Sequence, residues 1–410
     1  MVNLRLFSII FFWVSFFPAP IQNLYWLQTI IFLILVLLVL MLNKKIFRSI
    51  FSSKDWSLWV FCTCLLAGTV NALDKNIAYR EYFGIIFVLM PLYYIGKALL
   101  VMDENDNKVS VIICLASLMV AFIGFLELYF GKNILFENFI SNEYYQRYLS
   151  VGRPMSTQFN PVILGTYLVG CFPFGFILLK NKSIYLRLLG VTSLLLSAFI
   201  IIFTFSRGVF LGFIFMLIFY LWLKNKKKLI QALVVFLVGI FIFCSFQENI
   251  NFKRFGFRGL IAGSGDSIFS GYRSERVKMT FKMLQDHPFF GVGLNHFRVR
   301  FGEYCLRDGI KEPNEFRIPD NMYLTFLAET GLTGTFGFLL FIVFLLKEGL
   351  NKAKKQLIKS RQVLIVSLAA FVGLLVNMGA YELFYWKNPL MLFCLICGFI
   401  AAKDSVKDNG

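Results

Sequence analysis

The chain has 410 residues, 58% of them hydrophobic, 18% aromatic and only 16% charged, with 50 Phe and a mean hydropathy of +0.71. A soluble globular domain would run about 45–50% apolar and about 25% charged, so that class is excluded. The 41 Lys and Arg set against 23 Asp and Glu leave +18 on this apolar chain, and where those charges sit becomes the question.

A spanning helix needs roughly 20 mostly apolar residues. Measured against that length, the sequence predicts an all-α integral membrane protein of about twelve spans, near 4–20, 24–42, 56–73, 82–101, 109–130, 159–179, 188–205, 208–223, 229–246, 321–346, 362–380 and 389–402. The first run has a signal peptide as its alternative reading, although no small-x-small cleavage site precedes Gln22. The expected organisation is spans one to nine in 1–246, a long external loop with helices in 247–320, spans ten to twelve in 321–402 and a cytoplasmic tail in 403–410. Segment 131–158 is a second, shorter outer loop. Scattered aromatics in the long loop, Phe252, Phe255, Phe257, Phe289, Phe290 and Phe297, suit helices lying on the bilayer surface.

Orientation follows from short loops rich in Lys and Arg, which mark the cytoplasmic side. With the N-terminus inside, Lys44, Lys45, Arg48 and Lys54, then Lys180, Lys182 and Arg187, Lys224 and Lys226 to Lys228, and finally Lys347 to Arg361 all fall on that side. Most of the eight Cys lie inside apolar runs, where Cys acts as a small hydrophobe and not as part of a disulfide framework. Two His in the whole chain speak against a metal enzyme, and no metal site or cofactor is expected.

Arg distributes opposite to Lys. Twelve of the sixteen Arg, among them Arg80, Arg147, Arg153, Arg207, Arg254, Arg258, Arg273, Arg276 and Arg298, fall on the outer side. The planar guanidinium matches phosphate and carboxylate bidentately and stays charged when desolvated. Outer Arg therefore point to a phosphorylated or acidic substrate at the outer leaflet; the competing reading pairs them with acids of the long loop, which holds 12 basic and 9 acidic residues. Nucleic acid is excluded as a partner on that side of a membrane.

Three constellations stand out. Phe203-Thr204-Phe205-Ser206-Arg207-Gly208 puts an Arg at the end of a span beside a Gly; the reading is either a site residue or an Arg reaching the interface. Ser270 to Arg276 places Arg273 and Arg276 three apart on one helical face, ahead of Asp286-His287-Pro288-Phe289-Phe290-Gly291-Val292-Gly293. Pro288, Gly291 and Gly293 read as a turn, and His287 as structural. Pro319-Asp320-Asn321-Met322-Tyr323 opens an apolar helix, so Asp320 is either its N-cap or a general base. Glu329, nine residues deeper, is expected to satisfy polar groups of the bundle.

At these segments the chain resembles the bacterial O-antigen ligase and polysaccharide polymerase superfamily. The matching features are Ser206-Arg207-Gly208, Arg273 fifteen residues before Pro288, and Asp320-Asn321-Met322-Tyr323-Leu324 running to Glu329, Gly331 and Gly334. Arg153 with Phe159-Asn160-Pro161 is a weaker match. Asp320 stands where the ligase branch has its catalytic His, which tilts the resemblance toward polymerases.

The resemblance implies a GT-C-like inner-membrane enzyme that takes glycan from undecaprenyl diphosphate at the outer leaflet and attaches it to a sugar hydroxyl, inverting and without metal. In a polymerase the acceptor is another lipid-linked repeat unit; in a ligase it is lipid A core or an equivalent. Arg207 and Arg273 would hold the diphosphate with help from Arg276, Asp320 would deprotonate the acceptor, and Arg153, Asn321 and Tyr323 would contact substrate. Membrane lipids and a chain-length regulator are further expected partners. The rival class is a lipid-linked glycan flippase or transporter, disfavoured because charged residues within the spans are few: Lys97, Glu127 and Glu329.

Overall fold

The computed structural model describes residues 55–102, 106–133, 148, 152–224, 267–310, 318–354 and 361–402. Among them the ordered elements are helices, with no strand. In chain order they are α1 (Trp56–Ala67), α2 (Lys75–Met102), α3 (Asp106–Phe130), α4 (Pro161–Leu178, tightened over Phe172–Phe174), α5 (Ile184–Phe203), α6 (Arg207–Lys224), α7 (Ser267–Asp286), α8 (Phe297–Arg307), α9 (Met322–Lys354), α10 (Arg361–Met378) and α11 (Lys387–Ala401). Seven of these, α2 to α6, α9 and α10, are long and apolar enough to cross a membrane, and α1 and α11 are shorter apolar helices. Nine of the twelve predicted runs are thus helical. The runs at 4–20, 24–42 and 229–246, the tail 403–410 and most of 131–158 lie outside the described residues.

Close helix crossings are made by small residues. A Cβ added to Gly96 of α2 would stand 2.6 Å from the Leu395 carbonyl of α11, and one on Gly212 of α6 would stand 2.6 Å from the Gly373 carbonyl of α10. In hydrocarbon, where burying apolar surface brings no gain, such backbone approach and packing hold helices together. An aromatic cluster of Phe61, Phe326, Phe338, Phe341 and Phe384 joins α1, α9 and the segment before α11.

Helix ends sort onto two sides. At one end Lys97 pairs with Asp55 at 2.6 Å, Lys352 donates to the Ile400 and Ala402 carbonyls, and Lys224 lies beside Lys180 and Arg361. At the other end Asn71 donates to the Gly291 carbonyl, Glu127 accepts from the amides of Met155 and Ser156, Arg153 reaches Thr204 and Thr325 reaches Glu382. This second end, the rim, gathers the helix termini that the sequence assigned to the outer side.

Two boundaries differ from the sequence reading. The run at 56–73 ends as helix at Ala67, because Gly68 to Asn71 turns back to meet the loop before α8. Helix α2 starts at Lys75, seven residues before its apolar run, so its first two turns carry Arg80 and Glu81 at the rim. Helices α7 and α8 and the loop between them make a small separate core with Ala328 of α9, from Met279, Met283, Val292, Phe297, Phe301, Tyr304 and Cys305. Phe297 is buried there and not on a bilayer surface, while Phe289 is exposed; Phe252, Phe255 and Phe257 lie outside the described residues.

Candidate active site

The rim is built around a break in α9. Gly331 has φ 61 and ψ −160, a combination that only Gly adopts readily. Into that break docks the loop Pro288 to Gly293: Val292 and Gly293 donate to the Ala328 and Glu329 carbonyls, and Leu332 and Thr333 donate to the Pro288 and Phe289 carbonyls, all at 2.9–3.1 Å. The carbonyls and amides freed by the kink are thus satisfied by the loop, as buried backbone must be. The Glu329 side chain completes the clamp, accepting from the amides of Asn295 at 2.9 Å and Phe297 at 3.0 Å and from the Tyr385 hydroxyl. Glu329 therefore satisfies polar groups of the bundle, as the sequence suggested. His296, buried, accepts the Asp74 amide at Nε2 and places Nδ1 2.7 Å from the Leu294 carbonyl, a structural role shared by its loop.

This scaffold carries Arg276 and Asp320. Asn321, not Asp320, caps α9: its Oδ1 accepts from the amides of Tyr323 at 3.0 Å and Leu324 at 3.2 Å. Asp320 sits one residue outside the cap at φ 51, in the left-handed region that Asp tolerates better than most residues. Its Oδ2 accepts from Arg276 Nη1 at 2.7 Å, and the same nitrogen donates to the Ile318 carbonyl at 2.6 Å. Arg276 is almost wholly buried, whereas the Asp320 side chain is 35% exposed, so the carboxylate is the member of the pair that faces outward.

A second group of sequence-predicted residues meets at the turn between α5 and α6. Arg207 is the exposed first residue of α6. Arg153 Nε donates to the Thr204 carbonyl at 2.8 Å, and its guanidinium lies over the Tyr148 ring; it braces the turn that presents Arg207. Gly208 packs against Ala380 so closely that a Cβ there would overlap it. The segment after Ala380 then carries Glu382, whose Oε1 accepts the Thr325 hydroxyl at 2.7 Å in the first turn of α9. The fold thereby links the Arg153–Arg207 turn to the Arg276–Asp320 pair through residues 377–386.

Five non-glycine residues with positive φ occur among the described residues: Ser156, Phe159, Phe205, Asn295 and Asp320. All five lie at the rim, beside Arg153, Arg207, His296 and Arg276. Strained backbone of this kind costs on the order of 1–3 kcal/mol per residue and gathers at sites where function over-determines geometry.

Other expectations take different places. The Tyr323 hydroxyl donates to the Leu375 carbonyl of α10 at 2.8 Å, an interhelical bond. Arg273 lies on α7 three residues before Arg276; its side chain is outside the described residues. Part of the loop charge is paired internally: Arg300 and Arg307 with Glu303, Arg307 with Asp286, and Lys278 and Lys282 with Asp308. Glu303 and Asp308 are held below the ordinary carboxylate range, mainly by hydrogen bonds from Arg300 and from Lys278 and Lys282 respectively. Glu382 was missed by the sequence reading, although a lone acid in the outer turn Tyr381-Glu382-Leu383-Phe384-Tyr385-Trp386 was a signal. Among the described residues no three His, Cys, Asp or Glu side chains are grouped as metal ligands would be.

The charged residues within the spans are occupied structurally. Lys97 is paired with Asp55, which also accepts the Tyr93 hydroxyl; Glu127 and Glu329 each hold the backbone amides of a rim loop. The Glu127 and Glu329 contacts brace the rim, and the Lys97–Asp55 pair ties the opposite end of the bundle.

No curated protein matches the chain. Residues 192–342, from α5 into α9, match the family described as O-antigen ligase, a stretch that contains Arg207, Arg273, Arg276, Asp320 and the Gly331 break. With a bundle of apolar helices and a strained, Arg-bearing rim already in place, this match supports a relation to the O-antigen ligase and polymerase superfamily and indicates a ligase- or glycosyltransferase-like membrane enzyme.

Proposed function

We propose that the protein is a polysaccharide polymerase. It transfers glycan from undecaprenyl diphosphate to a hydroxyl of a lipid-linked repeat unit at the outer leaflet of the inner membrane, with inversion and without metal. The observation that carries this reading is the division of labour at the start of α9, where Asn321 caps the helix and leaves the Asp320 carboxylate to Arg276 and to the outside. A carboxylate at the mouth of an apolar bundle, next to a buried guanidinium, suits proton removal from an incoming hydroxyl. Arg207 and Arg273 neutralise the diphosphate as negative charge builds on it, with Arg276 spanning base and leaving group, since a guanidinium presents its donors in a planar fork. The acceptor oxygen forms the new glycosidic bond, the bond to the diphosphate oxygen breaks, and the proton passes to Asp320.

The O-antigen ligase description of the matching family favours a second reading, transfer of finished polymer to lipid A core or another terminal acceptor. Deletion of the gene and gel analysis of surface glycan separate the two. Loss of a polymerase leaves single repeat units attached, whereas loss of a ligase leaves the acceptor bare and polymer on its lipid carrier. Complementation with Asp320→Asn should reproduce the deletion; full-length glycan from that variant would remove Asp320 as base.

A further inference from the structure

We propose that Glu382 is a positioning residue of this site, a buried acid that joins the two halves of the rim and sets its grip on an anionic lipid-linked donor. The inference rests on the diphosphate reading of the rim.

Glu382 lies between α10 and α11, outside the spanning helices, and is 3% exposed. On one side its Oε1 accepts from Thr325, one turn into α9 beyond Asp320 and the Asn321 cap. On the other side Ala380, two residues earlier, is wedged against Gly208, the residue after Arg207.

The charged and titratable groups that act on Glu382 come from several elements. Asp320 precedes α9, Glu329 lies within it, Arg276 is on α7, Arg298 is on α8, and the Tyr385 hydroxyl belongs to the same segment as Glu382. Burial, helped by the charge of Asp320, pushes the Glu382 carboxyl up to about 7, against the pull of Thr325, Arg298 and Arg276. Below that pH Glu382 is neutral, and an incoming diphosphate meets the rim with one anion fewer beside its guanidinium groups. Above it, a buried negative charge competes with the ligand for the same guanidinium groups. Donor affinity therefore falls as pH rises through about 7, and donor binding draws a proton onto Glu382 by linkage.

The test uses the full chain in lipid nanodiscs and undecaprenyl-diphospho-N-acetylglucosamine as the probe. Both of its phosphates are esterified, so its charge stays fixed between about pH 6 and pH 8, unlike a phosphate monoester. Wild-type affinity should fall about threefold or more over that interval. Glu382→Gln keeps an acceptor for Thr325 and should bind at the upper pH as tightly as wild type does at the lower, with a flat profile; Glu382→Asp should restore a slope. A slope that persists in Glu382→Gln, or a flat wild-type profile, overturns the inference alone. A wild-type protein that does not bind the probe, or an Arg207→Ala variant that binds it as wild type does, overturns the diphosphate reading as well. If Glu382→Gln does not fold, calorimetry of wild type near pH 7 in two buffers of different ionisation enthalpy decides. Proton uptake on binding supports the proposal, and its absence sinks it.

Discussion

Gly331 and Gly291 meet backbone to backbone: a Cβ on Gly331 would stand 2.6 Å from the amide nitrogen of Gly291 and from the Phe289 carbonyl. Both residues have positive φ, 61 and 65. The Gly-x-Gly turn before α8 and the Glu-x-Gly-x-x-Gly stretch of α9 are thus two sides of one joint, each shaped to admit the other's main chain.

Gly331→Ala should therefore unseat the loop that carries α8. The conformational strain alone is about 1–3 kcal/mol, before the overlap with Phe289 is relieved. In detergent the variant should melt well below wild type, with early proteolysis between α7 and α8. Gly84→Ala, on α2 where an added Cβ meets nothing within 4 Å, is the matched control and should melt with wild type. Equal melting of all three proteins would rule out the joint.

Glu329→Gln tests the clamp that backs this joint. The carboxylate serves three donors, two backbone amides and the Tyr385 hydroxyl. An amide offers one acceptor oxygen and turns two N–H donors toward the rest, at a cost of about 1–3 kcal/mol for the group left unmatched. Tyr385→Phe removes one donor to Glu329 and a second acceptor of the Asn295 amide, which keeps Glu329, and should cost less, about 1 kcal/mol. If Glu329→Gln proves as stable as Tyr385→Phe or more so, the clamp is not what holds the loop.

Hydropathy alone recovered the nine described apolar helices because a spanning segment must be apolar over most of its length. Polar helix starts were less legible. Lys75 to Glu81 is too polar to count toward a span, yet it continues α2 into the rim. At Pro319-Asp320-Asn321 two adjacent residues are both good caps, and only backbone geometry, φ 51 at Asp320, assigns the cap to Asn321. The kink at Gly331 left no hydropathy signal, since glycines in a span more often mark close helix packing. Glu382 was hidden for a related reason: its place depends on a hydrogen bond from Thr325, 57 residues away, and on the packing of neighbouring Ala380 against Gly208 of α6.

Cap and base can be pulled apart experimentally. Asn321→Ala removes two hydrogen bonds to the first turn of α9 and should cost about 1 kcal/mol of stability, with activity falling only as far as the displaced helix start requires. Asp320→Asn leaves the cap intact and keeps a side chain tolerant of left-handed backbone. It should hold its melting temperature within a few degrees while transfer drops at least about 100-fold. Thermal melts in detergent and transfer assays with lipid-linked repeat units give both numbers, and a variant pair with the opposite pattern would return the capping role to Asp320.

The turn between α5 and α6 yields a graded prediction. Arg207 is exposed, so Arg207→Ala should change stability by no more than about 0.5 kcal/mol. If its charge meets the departing diphosphate, the loss in rate should reach about 100- to 1,000-fold, as when a donor to developing negative charge is removed elsewhere. Arg273→Ala should lose rate to a similar extent if Arg273, three residues before Arg276 on α7, meets the same diphosphate. Arg153→Ala acts at one remove: it takes away the bond to Thr204 that sets the turn, so its loss should be smaller and accompanied by a lower melting temperature. Arg207→Lys keeps the charge without the planar fork and should recover only part of the rate. Full activity in Arg207→Ala would place the diphosphate elsewhere on the rim, whereas equal losses of rate and stability in Arg207→Ala and Arg153→Ala would make the turn a structural element alone.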